Sequence, residues 1–157
     1  MRVLVDTNLF IAYLLKPHGD SFIAVLFRAI SAGEVTLLLP EMLLEEIERV
    51  AKRKPNLASL ISGERLAQFL GQLRLLGEDV PPIMGPIPHI VRDVKDDYLI
   101  AYAVVGRADY LISGDNDLLV LGAAGSVSIV SSGQFRQILR EQRARNGHAN
   151  QKGKRTG

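Results

Sequence analysis

Asp6 follows the apolar run Val3-Leu4-Val5, and Asp115 follows Tyr110-Leu111-Ile112 by way of Ser113-Gly114. Short apolar runs bounded by turn-forming residues read as buried strands, so both carboxylates stand at the C-terminal ends of strands. Taken singly, each has a local explanation. Asp6 caps the helix that starts at Thr7-Asn8, and Asp115 closes an Asx-turn. Taken together they imply more. Like charges brought to one edge of a sheet repel unless a cation or a proton neutralises them, and both remedies are chemistry.

Further carboxylates come from two helices. Between Glu41 and Arg53, Leu43, Leu44, Ile47, Val50 and Ala51 form an apolar arc. At about 100° per residue, Glu45 and Lys52 fall opposite its centre and face water, whereas Glu46 and Glu48 flank it. A border glutamate can reach a cleft while its helix stays packed; the wheel does not separate these two. Asp93-Val94-Lys95-Asp96 has the spacing of an acidic capping box and opens a helix to about Val105, apolar almost all round and therefore expected to be buried. Asp93 and Asp96 are accounted for as N-cap and N3 residues. Asp97 aligns with Ile100, Ala101 and Val104, and Asp96 with Leu99, Ile100 and Ala103, so periodicity leaves both open. Asp97 has no capping role, and a carboxylate there is expensive unless compensated.

The elements that must position these groups alternate. Strands are expected at 3–5, 35–39, 110–112 and 127–130, with a weaker one at 78–80. Helices are expected near 9–15, 20–32, 41–53, 62–76, 93–105 and 133–143, with a turn or short helix at 115–119. Pro81, Pro82, Pro86 and Pro88 mark a loop. This alternation predicts an α/β fold with a mainly parallel central sheet, in which ligands bind beyond the C-terminal strand ends.

The chain's 157 residues fit one domain, and its composition, 47% hydrophobic and 23% charged, is that of a globular protein. With no cysteine, disulfides and Cys-ligated zinc are excluded. No apolar run reaches the roughly 20 residues of a membrane helix, and no signal segment is evident, so a soluble cytoplasmic protein is expected. The net charge of +2 is unevenly spread. Residues 136–157 hold seven Lys/Arg against Glu141 alone, whereas the body before them is mildly acidic. The expected division is a folded domain over 1–143 and a basic, disordered tail over 144–157.

Val3-Leu4-Val5-Asp6-Thr7-Asn8, Glu46-Ile47-Glu48-Arg49-Val50, Asp96-Asp97-Tyr98-Leu99-Ile100-Ala101 and Ala108-Asp109-Tyr110-Leu111-Ile112-Ser113-Gly114-Asp115, in that order, resemble the PIN-domain family. The resemblance covers about residues 1–140 and is nearest to the toxin components of VapBC-like toxin–antitoxin pairs. It implies a three-layer α/β/α sandwich with a mainly parallel five-stranded sheet, and a metal-dependent endoribonuclease. It places the family's acidic positions, catalytic and metal-binding, at Asp6, Glu46, Asp97 and Asp115, thereby choosing Glu46 over Glu48 and Asp97 over Asp96. Asn8, Ser113, Asp117 and Asp96 take supporting positions. A cognate antitoxin and a homodimer are the partners it implies besides RNA. Asp93-Val94-Lys95-Asp96 stands where the family more commonly has Asp-Pro.

Oxygen-only ligands suit Mg²⁺ or Mn²⁺ rather than zinc. The three histidines, His18, His89 and His148, fall in expected loops or tail and read as solvated surface residues. Arg49, Lys52, Arg53 and Lys54 follow Glu46 and suit either a solvated face or phosphate positioning. Arg143, Arg145, Lys152, Lys154 and Arg155 offer nonspecific affinity for RNA. No aromatic–basic interleaving of a stacking platform is visible. Two rivals stand beside this reading. A haloacid-dehalogenase-type phosphatase needs Asp-x-Asp, and Asn8 occupies the second position. A non-catalytic RNA-binding or scaffold PIN domain would be marked by a lost acid, and none is lost.

Overall fold

The computed structural model describes residues 1–53 and 55–154; Lys54 and Arg155, named above, lie outside them. Strands β1 (Arg2–Val5), β2 (Thr36–Pro40), β3 (Glu78–Val80), β4 (Tyr110–Ile112), β5 (Ala123–Ala124) and β6 (Val127–Val130) form one sheet in the order β3-β2-β1-β4-β6-β5. Every neighbouring pair is parallel except β5–β6. Val3, Leu4 and Val5 have no exposed surface. That is what an uninterrupted apolar run requires when its strand lies mid-sheet, covered on both faces.

The helices are α1 (Thr7–Leu15), α2 (Phe22–Ser31), α3 (Glu41–Arg53), α4 (Pro55–Ala58), α5 (Gly63–Leu76), α6 (Val94–Val105), α7 (Asn116–Leu119) and α8 (Ser132–Lys154). On one side α1, α3 and α5 pack together, with α3 and α5 against β2, while α6 lies over β1 and β4. The α/β/α sandwich is thus present, with six strands rather than five. The extra strand, β5, has two alanines and no periodicity to betray it. It exists because Gly125 takes a left-handed φ of 59° and, with Ser126, turns the chain so that Ala124 pairs with Val127.

Two other expectations change. α6 is not buried all round: Leu99, Ile100 and Ala103 are inside, but Val94, Val104 and Val105 are at least half exposed. α8 continues through Lys154, beyond the boundary expected at Arg143. Phe135 and Leu139 anchor its first turns in the core, and residues 143–153 extend it with exposed side chains. Gly147, Gly153, Asn146 and Asn150 give this extension little helix propensity, so it is a continuation propagated from the packed segment rather than a helix in its own right.

From β1 the chain first builds outward through β2 to β3, then returns to add β4 and β6 on β1's other side. The switch in strand order therefore falls between β1 and β4. Beyond their C-terminal ends, which stay paired as far as the Asp6 amide donating to the Ile112 carbonyl at 2.9 Å, lies the crevice in which open α/β sheets bind ligands.

Candidate functional site

Asp6 leaves β1 at this crevice. It is the N-cap of α1 by position, yet its side chain closes no cap hydrogen bond. Its Oδ2 instead accepts the Ser113 hydroxyl at 2.8 Å. Ser113, at the end of β4, has no exposed surface, and its Oγ also accepts the Asp115 amide at 3.0 Å. One buried hydroxyl thus ties the first and last acids to a common frame. Burial pushes the Asp6 carboxyl above its ordinary range; the Ser113 hydrogen bond opposes that, and the nearby Asp115 charge adds to it. Asp115 does what a local reading expects of it, capping α7 through Oδ1 to the Asp117 amide at 2.9 Å. It nevertheless also lines the crevice.

Around these groups lies a cleft of about 230 Å³ whose acidic lining is Asp6, Glu46, Asp93, Asp96 and Asp115, with Asn8 at its edge. Glu46 is the border glutamate that faces it. Glu48 is exposed and pairs with Lys52, so Lys52 is spent on the outer helix face. Glu46 itself is paired on both oxygens, Oε1 with Lys95 at 3.1 Å and Oε2 with Arg49. Asp117 and Arg53 are exposed and outside the cleft lining.

The two adjacent aspartates of α6 point different ways. Asp96, expected as an N3 capping residue, turns into the cleft, and its buried Oδ2 has no hydrogen-bond partner. Only half of the capping box forms, with Asp93 accepting from the Lys95 amide at 3.0 Å. Burial, then the charges of Asp115 and Asp6, raise the Asp96 carboxyl to about 7. Asp97 turns away. Its Oδ1 accepts the Ile90 and Val91 amides at 2.7 and 2.8 Å, and its Oδ2 meets His89 Nδ1 at 2.6 Å. Burial alone would raise it, but the two amides and the imidazole outweigh that and hold it below the ordinary range. Its compensation is structural: it fastens the proline-rich loop to α6. The geometry therefore brings Asp6, Glu46, Asp96 and Asp115 together and leaves Asp97 out. Both aspartates sit on the buried side of the helix, so periodicity saw no difference; the loop that claims Asp97 lies in another segment. His89, expected on the surface, is largely exposed but engaged through one nitrogen.

Sequence reading missed Lys95. It lies within the capping segment, where nothing in its type or spacing marks it, and becomes visible only when α6 is laid beside α3. Tyr98 is a second omission, facing an adjoining hollow with Arg49 and Lys95.

The donor set suits a hard divalent cation: carboxylate oxygens, one buried and unpartnered, two with raised affinities for protons. Among the described residues, no three His, Cys, Asp or Glu side chains stand close enough to close round an ion as they lie. Asp115 Oδ1 is turned to its helix cap and Glu46 to its two cations, so a cation would be competing with those contacts.

An α/β sandwich with an acidic cleft at its switch point is the class this arrangement defines. A PIN-domain family model matches residues 2–117, and the chain belongs to that family. No curated protein matches it. Among solved structures, its fold is similar to VapBC2 from Rickettsia felis bound to a DNA fragment from their promoter. The TM-score is 0.54 at 13% identity, covering 83% of this chain and 98% of that one. Among the described residues no helix is long and apolar enough to cross a membrane.

Proposed function

We propose that this PIN domain is a Mg²⁺- or Mn²⁺-dependent endoribonuclease acting as the toxin of a toxin–antitoxin pair. The observation that carries the reading is the unpartnered, buried Asp96 Oδ2 facing Asp6 and Asp115 in one cleft. Membership of the PIN family and likeness in fold to a VapBC complex support it. Asp6, Asp96 and Asp115 would hold the ion, with Glu46 joining them on release from its ion pairs. When bound, such an ion stabilises charge developing on a phosphodiester and makes a water more acidic.

The chain's own residues do the rest. Ser113 fixes the Asp6 carboxylate and the Asp115 backbone relative to each other, so these groups are oriented before substrate arrives. Near neutral pH the metal-free Asp96 carboxyl keeps a proton for part of the time, which eases its repulsion with Asp115 and Asp6. Lys95 and Arg49 neutralise Glu46 and carry positive charge along the cleft margin. A protein partner and self-association belong to this reading. Co-purification with the product of a small neighbouring reading frame, and the mass of the purified chain in solution, check them.

The test is cleavage of mixed RNAs by the purified chain in Mg²⁺, Mn²⁺ or EDTA. Cleavage should need the metal. Folded Asp6→Asn should lose activity by two orders of magnitude or more, and Glu46→Gln should lose far more than Glu45→Gln. Metal-independent cleavage, or full activity of folded Asp6→Asn, would sink the proposal. RNA binding without cleavage would indicate a non-catalytic PIN domain instead.

A further inference from the structure

The acidic cleft does not end at Glu46. Met42, Glu46 and Lys95 also form the wall of a second, broader hollow of about 370 Å³, completed by Arg49, Val94 and Tyr98. Two chemistries meet there. Arg49 and Lys95 bring positive charge, one to each oxygen of Glu46, and keep much of their side chains open to solvent, 43% and 57%. Val94 and Tyr98 present apolar surface outward from α6 at 60% and 39% exposure. Tyr98 stands outside the aromatic contacts that join Phe10, Tyr13, Phe27 and Phe69 in the interior. Folding therefore leaves an aromatic ring, an exposed valine and two cations together beside the acids, over a half-buried Met42.

We propose that this hollow is a subsite for one unpaired nucleotide next to the bond being cut. Its base rests on Tyr98, Val94 and Met42, and its phosphate meets Lys95 and Arg49. The inference rests on the ribonuclease reading and adds to it the residues that would hold the nucleotide beside the acids. A base inside a duplex has both faces stacked and offers none to a protein ring, whereas an unpaired base can turn into a concave apolar patch. Aromatic stacking tolerates any base, and neighbouring cations position the phosphate without reading sequence. The volume suits a single base. Until a phosphate arrives, Glu46 holds both cations at the place where it would lie.

The experiment measures binding rather than turnover. The full chain carrying Asp6→Asn, which leaves the hollow intact, is titrated in Mn²⁺ against a labelled single-stranded RNA octamer and against the same octamer annealed to its complement. The single strand should bind more tightly. Adding Tyr98→Ala should weaken single-strand binding about 5- to 150-fold, the range that one stacked base supplies. Duplex binding should be left as it was, and Tyr98→Phe should restore the parent affinity. Lys95→Ala should weaken binding to every sequence and flatten the salt dependence by about one phosphate contact. The Phe variant guards against a folding artefact, as do matched melting curves. Unchanged single-strand affinity in Tyr98→Ala, equal loss on both RNAs, or no rescue by Phe would overturn the subsite. So would loss of a protein partner rather than of RNA. If the unsubstituted chain cleaves RNA while Tyr98→Ala binds normally, the subsite alone falls. If it neither binds nor cleaves RNA, the ribonuclease reading falls with it.

Discussion

Asp96 and Asp97 occupy consecutive positions in the first turn of α6, and both are buried. Their hydrogen bonding makes them respond oppositely to pH. In metal-free buffer Asp96 titrates near 7 when folded and near an ordinary aspartate's roughly 3.9 when unfolded. Between those values the folded chain holds a proton that the unfolded chain has lost, so stability rises as pH falls from above 7 towards 4. Because the cleft is open to water, the effect is on the order of 1–2 kcal/mol rather than the full linkage value. Asp97 is depressed, so its contribution is complete above the unfolded value and is lost only as pH drops below it. Thermal melts in EDTA should therefore show wild type gaining stability from pH 7.5 to 5 and Asp96→Asn melting higher at pH 7.5 with a flatter profile. Asp97→Asn should melt lower, by about 5 °C, because it removes charge-assisted hydrogen bonds to the loop. The reverse order of the two variants would contradict the assignment of the cleft-facing residue.

A cation that binds only the folded state makes a second comparison at the same scale. At a hundred times its dissociation constant it adds about 2.7 kcal/mol, a rise on the order of 5–10 °C. Mn²⁺ should give that rise in wild type and in Asp97→Asn, and much less in Asp96→Asn. Equal responses in all three would remove Asp96 from the ligand set. The sequence made the strand-end acids and the border position of Glu46 legible because each is a local consequence of one element's period and end. It did not separate Asp96 from Asp97, because what separates them is His89, Ile90 and Val91 arriving from outside the helix.

At the scale of elements, the site depends on α5 and β3 being laid tightly against β2, whose far end leads into the helix carrying Glu46. Gly77 makes that junction: a Cβ there would lie 2.8 Å from Leu39 Cβ. Gly71, inside α5, has nothing within 4 Å of a Cβ. Urea denaturation should find Gly77→Ala destabilised by about 1–3 kcal/mol through overpacking. Gly71→Ala should be stabilised by about 0.5–1 kcal/mol through helix propensity. Similar behaviour of the two would mean that the contact at Gly77 relaxes freely. Strands and helices were legible wherever an apolar period met a cap, as at Ser62 before α5 and Asp93 before α6. The β5 hairpin was not, since two alanines depend on turn geometry and on β6 alone.

Across the whole molecule, charge and packing divide differently. Phe135 and Leu139 close the core, and Arg143 reaches Glu34 through Nε at 2.6 Å. Beyond Arg143 the helix contributes charge and no burial through residue 153. A chain ending at Arg143 loses Arg145, Lys152, Lys154 and Arg155 and no acid. It should melt within about 0.5 kcal/mol of the full chain, since surface residues without partners contribute little. Its nonspecific RNA affinity should be weaker, with a shallower salt dependence. A large fall in melting temperature would show that the extension packs against something after all.

The borders of the sheet have a consequence for life at high concentration. β5 offers two residues of free ladder, and β3 three, with Glu78 and Asp79 exposed along it. A margin that short, and on one side carboxylate-studded, gives a stray extended segment almost nothing to zip onto. Among the described residues the borders of the sheet thus give strand recruitment little template, which disfavours ordered aggregation through the backbone when copies of the fold are crowded together.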